Sequence, residues 1–287
     1  MTAAEPIGSE PAVDAAEIPV DELAAVAPPA PDRTFRPGEE ILLIDRKKRR
    51  YLVALEDGAE FHTHSGFVPH GDIIGKREGA VVRSSRGATF TTFRPTLSDF
   101  VFKMPRGAQV IYPKDLGAIL MLADIFPGAR VLESGVGSGA LSMTMLRAGA
   151  VVTGYELRGD FAARAQKNVA AFGGAELTQR YTVEERNCYE GIDEVNLDRV
   201  VLDLPEPWEV VEHAEEALLP GGIIVAYTPT IIQAVQFRER LVESSFELAE
   251  TIEVLHRGWN IDGTSVRPDH RMVAHTGFLS HARLLPA

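Results

Sequence analysis

The chain has 287 residues, 45% of them hydrophobic, a net charge of −12 and a single cysteine. That is enough apolar material for one or two buried cores, and no apolar run approaches the roughly 20 residues a membrane helix needs. The acidic balance argues against indiscriminate polyanion binding. The lone Cys188 excludes an internal disulfide, argues against a structural zinc site and fits a reducing cytoplasm.

In chain order, residues 1–33 come first, rich in Ala and Pro, with seven acids against one base. They read as a disordered acidic tail, since a secretory signal would open with basic residues and an apolar core. Residues 34–102 read as a small all-β domain. "EEILLIDRKKRRYLVAL" makes two strands around a charged hairpin, and "AVVRSSRGATFTTFRP" two more around Arg86-Gly87. Its basic clusters, "RKKRRY" and the group Arg83, Arg86 and Arg94, fit either a solvated face or a nucleic-acid patch.

Over 103–287 the pattern changes to alternating strands and helices. Strands are expected at "RVLESG", "AVVTGYE", "DRVVLDL" and "GGIIVAYTP". Helices are expected at "SGALSMTMLRAG", "GDFAARAQKNVAAFG", "PWEVVEHAEEALLP" and "TIIQAVQFRERLVESS". Two last strands, "FELAETIEVLHRGW" and "HTGFLSHARLL", have little helix between them. The alternation predicts right-handed crossovers and a mostly parallel, Rossmann-like sheet, with an antiparallel hairpin closing one edge. Ligands of such sheets bind at the carboxyl ends of the strands.

The loop in "VLESGVGSGAL" puts Gly135, Gly137 and Gly139 between a strand and a helix, where a ligand can approach backbone amides closely. Gly135-x-Gly137-x-x-Ala140 also satisfies the dinucleotide fingerprint, so the loop alone leaves NAD and S-adenosylmethionine both open. Glu156 ends the next strand at the spacing of a ribose partner, or is a surface acid. Glu133 separates the two cofactors. A carboxylate two residues before the first glycine repels a pyrophosphate but suits a phosphate-free cation. Glu133, Glu156 and Asp203 at successive strand ends together favour a sulfonium cofactor and a methyltransferase.

In "VVLDLPEPW" a core strand stops on Asp203, and Pro205 and Pro207 stiffen the turn that follows. Asp203 is either a helix cap or a carboxylate at a pocket mouth. At a pocket mouth it can accept a hydrogen bond from an exocyclic amine and stabilise a ring that becomes cationic on methylation. Trp208 is either core or a stacking surface for a base.

"MPRGAQVIYPKD", "VLESGVGSGAL", "VLDLPEPW", "RGWNIDGTSVRP" and "HTGFL", in this order from Phe35 to Leu285, resemble the bacterial and archaeal tRNA (adenine-58-N1)-methyltransferases, most of all the actinobacterial members. The resemblance implies a class I S-adenosylmethionine-dependent methyltransferase domain behind the small β domain, tRNA as substrate and a cytoplasmic homotetramer. It places Ser138, Gly139, Ala140 and Leu141 on the cofactor, Glu156 on its ribose and Asn187-Cys188 at its adenine. Asp203 would hold the target base near the methyl donor, Tyr112 would line the target pocket, Gln109 would help shape it, and His275 and Thr276 would shape the site. No metal is expected. Asn187 stands where an aspartate is expected, which predicts weaker cofactor affinity, and the connection "RAGAVV" is shorter than expected. Three rivals remain: a methyltransferase with another acceptor, a tRNA-binding homologue without catalysis, and an NAD-dependent dehydrogenase.

Overall fold

The computed structural model describes residues 32–107 and 109–286, so the acidic tail expected over 1–33 lies outside the described residues except for Asp32 and Arg33. Strands β1 (Glu40–Asp45) and β2 (Arg50–Ala54) pair antiparallel. Their turn forms because the Asp45 carboxylate accepts the N–H groups of Lys47 and Arg49, each at 2.9 Å, with Lys48 in the left-handed region at φ 62°. A ribbon of β3 (Glu60–Thr63) and β4 (Gly66–Pro69), not anticipated above, follows. With β5 (Val81–Arg83) and β6 (Thr89–Phe93) the first sheet runs β2-β1-β6-β5. Ile41, Leu43, Leu55, Val68, Val82 and Phe90 give this part a core of its own.

Helix α1 (Leu97–Lys103) starts from a capping box in which Thr96 and Asp99 bond each other's backbone N–H. Helix α2 (Pro113–Leu122) begins on Pro113, with Tyr112 at its N-cap. There follow β7 (Arg130–Ser134), α3 (Ala140–Arg147), β8 (Val151–Glu156), α4 (Gly159–Thr178) and β9 (Tyr181–Glu185). The remainder comprises β10 (Leu197–Leu202), α5 (Val211–Ala217), β11 (Leu218–Thr228), α6 (Ile231–Val242), β12 (Phe246–Glu253), β13 (Trp259–Asp262), β14 (Ser265–Pro268) and β15 (Phe278–Leu284).

Seven of these strands form one sheet in the order β12-β15-β11-β10-β7-β8-β9, parallel from β11 to β9 and antiparallel around β15. Successive residues serve opposite faces. Val131, Val201 and Val225 pack with α1, α2 and α3, while Leu132, Val200 and Ile224 pack with α5 and α6. Both faces are covered, and that is why these strands read as unbroken apolar runs. From β7 the chain winds outward through β8 to β9, then returns to β10 on the other side of β7. The reversal opens a crevice at the carboxyl ends of β7 and β10.

The elements differ from expectation in four places. Strand β9 joins the far edge. The helix expected to end at Gly173 breaks at Gly174 (φ 55°, ψ −149°), a conformation reserved for glycine, and one more turn follows. The helix expected over 207–220 is a short 3-10 turn, Pro207–Val210, followed by α5, and β11 begins at Leu218. The strand expected to reach Trp259 ends at Glu253; Trp259 opens a separate hairpin whose two-residue turn starts at Gly263 (φ 54°). Strand β15 then slots between β11 and β12. The antiparallel closure is therefore present with β12 outermost, not as a tight terminal hairpin. No helix among the described residues is long and apolar enough to cross a membrane.

Candidate active site

The glycine loop lies in the crevice. Gly135 has φ 85°, and a Cβ there would overlap the carbonyl oxygen of Asp203, so only glycine lets the ends of β7 and β10 close on each other. The Asp203 N–H donates to the Ser134 carbonyl at 2.9 Å, and the Gly135 N–H to that of Tyr155 at 3.0 Å. Gly139 (φ 83°) is the N-cap of α3 and packs against Ala165 of α4. The buried Asn168 amide donates to the carbonyls of Ser138, at 2.9 Å, and Pro105, at 3.0 Å. One side chain thus ties the loop to the chain at Pro105.

Three acids meet there. Glu133 is fully buried; one carboxyl oxygen accepts from Ser142 Oγ at 2.5 Å and the other has no partner among the described residues. Burial, reinforced by Asp203 and Glu156 and opposed by Ser142, pushes its pKa up to about 8. Burial and the neighbouring Glu156 push Asp203 up to about 7. Glu156 accepts the Gly137 N–H at 2.9 Å and the Arg158 N–H at 3.1 Å. An arriving cation would relieve this crowding, and the free oxygen of Glu133 and the Ser138 hydroxyl, neither with a partner among the described residues, leave polar atoms for it to meet.

The cavity holds about 410 Å³, within the usual range for a small-molecule site. Gln109, Gly135, Gly137, Glu156, Asn187, Cys188 and Asp203 all line it. A narrower recess runs from it between the 109–111 arch and Glu133, Ser138, Ala140 and Leu141, again with Asp203 on its wall. The structure therefore brings together all the residues expected on the cofactor except Gly139, which lies behind the loop as a packing residue. Asn187 is already employed: its carbonyl oxygen accepts the Tyr189 N–H at 3.2 Å and its amide nitrogen donates to Glu190 at 3.0 Å. The Cys188 thiol is buried and raised in pKa by that burial.

Other expectations are corrected or displaced. Asp203 is not a helix cap; the turn that follows starts at Pro207 after Glu206, with no side-chain cap bond. Trp208 packs against the core beside α5 and does not line the cavity. Tyr112 stands just beyond the arch, half-buried, with its ring edge-on to Phe102 at 5.8 Å. His275 lies outside both compartments, its ring nitrogens 2.7 Å from a Glu253 carboxylate oxygen and 2.9 Å from the Pro229 carbonyl. Pro205 lines the cavity as the stiff turn after Asp203 suggests, whereas sequence reasoning missed Leu157, Arg158, Arg186, Tyr189 and Leu204, all on the cavity wall. Leu157 had a usable signal: a large apolar residue directly after a strand-end acid, here 65% exposed although apolar.

The chain matches the family described as "tRNA methyltransferase complex GCD14 subunit" over residues 91–267, and "TrmI-like N-terminal" over residues 34–82. It is 39% identical to a tRNA (adenine(58)-N(1))-methyltransferase TrmI of Thermus thermophilus, covering 83% of this chain and 94% of that one. It is 36% identical to the tRNA (adenine(57)-N(1)/adenine(58)-N(1))-methyltransferase TrmI of Methanocaldococcus jannaschii, covering 85% and 95%. Among solved structures, one described as a SAM-dependent O-methyltransferase from Thermotoga maritima superposes with a TM-score of 0.83 at 34% identity, covering 89% of this chain and 96% of that one.

Proposed function

The chain belongs to the GCD14/TrmI family of tRNA methyltransferases, with a class I methyltransferase fold, and from that premise we propose that it methylates N1 of adenine 58 in tRNA. The methyl donor in this reading is S-adenosylmethionine, which when bound supplies an electrophilic methyl group on a sulfonium sulfur. The site residues fit that group. The glycine loop leaves room for close approach, the acids favour a cation, and Glu156 and the exposed Leu157 suit a ribose and an adenine face.

One observation carries the acceptor assignment: Asp203 borders both the main cavity and its inner recess. N1 of adenine already presents a lone pair, so no base has to create the nucleophile. In this reading an ionised Asp203 accepts a hydrogen bond from the adenine amine, holds the ring in line and stabilises the positive charge that develops on it. Pro205 stiffens the wall, Tyr112 and Gln109 bound the target side, and Glu133, Ser138 and Leu141 bound the donor side. The reading extends to a β module over 34–102 and a catalytic part over 103–287, supported by the separate core of the first. It extends also to a cytoplasmic location and a homotetramer. In support of assembly, Val242, Leu248, Trp259 and Ile261 are large apolar residues left exposed.

The test is transfer of labelled methyl to an unmodified tRNA transcript, beside a transcript with guanine at position 58 and the Asp203→Ala protein. Label confined to the adenine-58 transcript and lost in the variant supports the reading. Label retained on the guanine-58 transcript would instead indicate another acceptor, such as a ribose oxygen.

A further inference from the structure

Behind Tyr112 lies a closed polar cluster that the reaction as described does not use. Lys114 and Asp115 follow Tyr112 on the first turn of α2, and Asp115 is fully buried with the Lys114 side chain 6% exposed. The three N–H bonds of the Lys114 ammonium are all taken, by Asp115 Oδ1 at 2.7 Å, Val254 O at 2.6 Å and Thr276 Oγ1 at 2.6 Å. Thr276 Oγ1 in turn donates to Asp115 Oδ2 at 2.6 Å, and the Thr276 carbonyl accepts from Tyr227 OH at 2.5 Å. Ammonium, hydroxyl and carboxylate close a ring in which each donor has one possible acceptor.

A buried ion pair is weak evidence of stability, because desolvation cancels much of its attraction. What the ring does specify is geometry. Val254 and Thr276 are the two ends of the 254–277 segment that carries the β13–β14 hairpin, and one ammonium bonds both. The same ring joins them to the helix turn that presents Tyr112, and to Tyr227 near the end of β11. The Tyr227 hydroxyl is close enough to Asp203 and Tyr112 to be influenced by both.

We propose that Lys114 and Thr276 are positioning residues: their ring clasps the base of the 254–277 arm and holds Tyr112 at its working distance from Asp203. This rests on the reading of Asp203 and Tyr112 as the target side of the site. Misplacing a reacting group by about 1 Å can cost on the order of 100-fold in rate.

The decisive comparison is Thr276→Val, which keeps the shape and removes the hydroxyl, against Thr276→Ser, which restores it. In full-length protein with unmodified tRNA, Thr276→Val should lower kcat by about tenfold or more, with S-adenosylmethionine Kd unchanged within about twofold. Trypsin should cut the arm of that variant faster at Arg257 and Arg271. Thr276→Ser should recover both readouts. Wild-type kcat in Thr276→Val, or a loss that tracks weaker donor binding or that Ser does not rescue, overturns the clasp. A wild-type protein that labels no tRNA overturns the functional reading itself. Unchanged arm cleavage in Thr276→Val would in that case refute the clasp without reference to activity.

Discussion

Asp203 and Glu133 share a cavity in which neither carboxyl group ionises as it would in water, with pKa values of about 7 and about 8. Below its pKa Asp203 carries a proton and faces an amine donor with another donor, so the reaction should lose rate as pH falls. The expected kcat/KM profile has an acid limb near pH 7. A bound cation favours the ionised form, so the limb of kcat should lie at lower pH. A profile flat from about pH 6 to 8.5 would remove Asp203 from the acceptor role. Asn187 bears on donor affinity. The sequence alone suggests that aspartate there would tighten donor binding through a charge-assisted bond, a gain of about 1 kcal/mol or roughly fivefold. The structure adds that Asn187 donates to Glu190, so Asn187→Asp would set two carboxylates against each other. Calorimetric titration with S-adenosylmethionine should therefore find little or no gain in Asn187→Asp, and the gain only in Asn187→Asp combined with Glu190→Gln. Equal gain in the single variant would show that Glu190 turns away. Motif residues such as Gly135 and Glu156 were legible because their chemistry is local. The Glu190 contact was not, because a three-residue spacing at a 3-10 turn has no signature in residue type.

His275 links elements of the fold. Both its ring nitrogens face acceptors, a carboxylate at the end of β12 and a carbonyl between β11 and α6, a geometry that the doubly protonated ring satisfies at both nitrogens. The bonds to Glu253 and Pro229 raise its pKa above the usual 6.5. A raised folded-state pKa means stabilisation that is fully present below 6.5 and lost as pH climbs through the higher value. Thermal scans from about pH 5.5 to 8.5 should show wild type ahead of His275→Gln at the acid end and the two converging above. A constant gap would mean the contact is mere packing. Which elements were readable follows from the same local-versus-distant division. The strands at "RVLESG", "DRVVLDL" and "GGIIVAYTP" announced themselves because helices cover both faces. Strand β9, "YTVEE", did not, because an edge strand half in solvent carries Thr182, Glu184 and Glu185 and so has no apolar run. Tyr112 and Thr276 could be flagged by resemblance, but their meeting through Lys114 depends on β15 slotting between β11 and β12, which no stretch of sequence encodes by itself.

For the molecule as a whole, the surface that remains unexplained is apolar and clustered in a few elements. The β13–β14 hairpin is exposed along almost its whole length, and Trp259, Ile261 and Val266 are 57%, 71% and 59% exposed. A lone two-stranded ribbon is marginal in water, and one that shows tryptophan and isoleucine to solvent needs a surface to rest on. A groove of about 400 Å³ between α6 and β12, lined by Ile231, Val235 and Val242, is apolar as well. The proposed homotetramer would satisfy both at once, since a symmetric assembly buries the same patches on every subunit. Light scattering at working concentration should then give a mass four times that of the 31.3 kDa chain. Ile261→Lys with Val266→Lys should reduce that mass, because lysines on the hairpin would have to be buried without partners. Donor affinity should survive the change, because the cavity is lined at the ends of β7, β8, β9 and β10 of a single chain. A wild-type monomer would leave the hairpin without a protein partner of its own kind. An unchanged mass in the double variant would move the interface to the α6 groove.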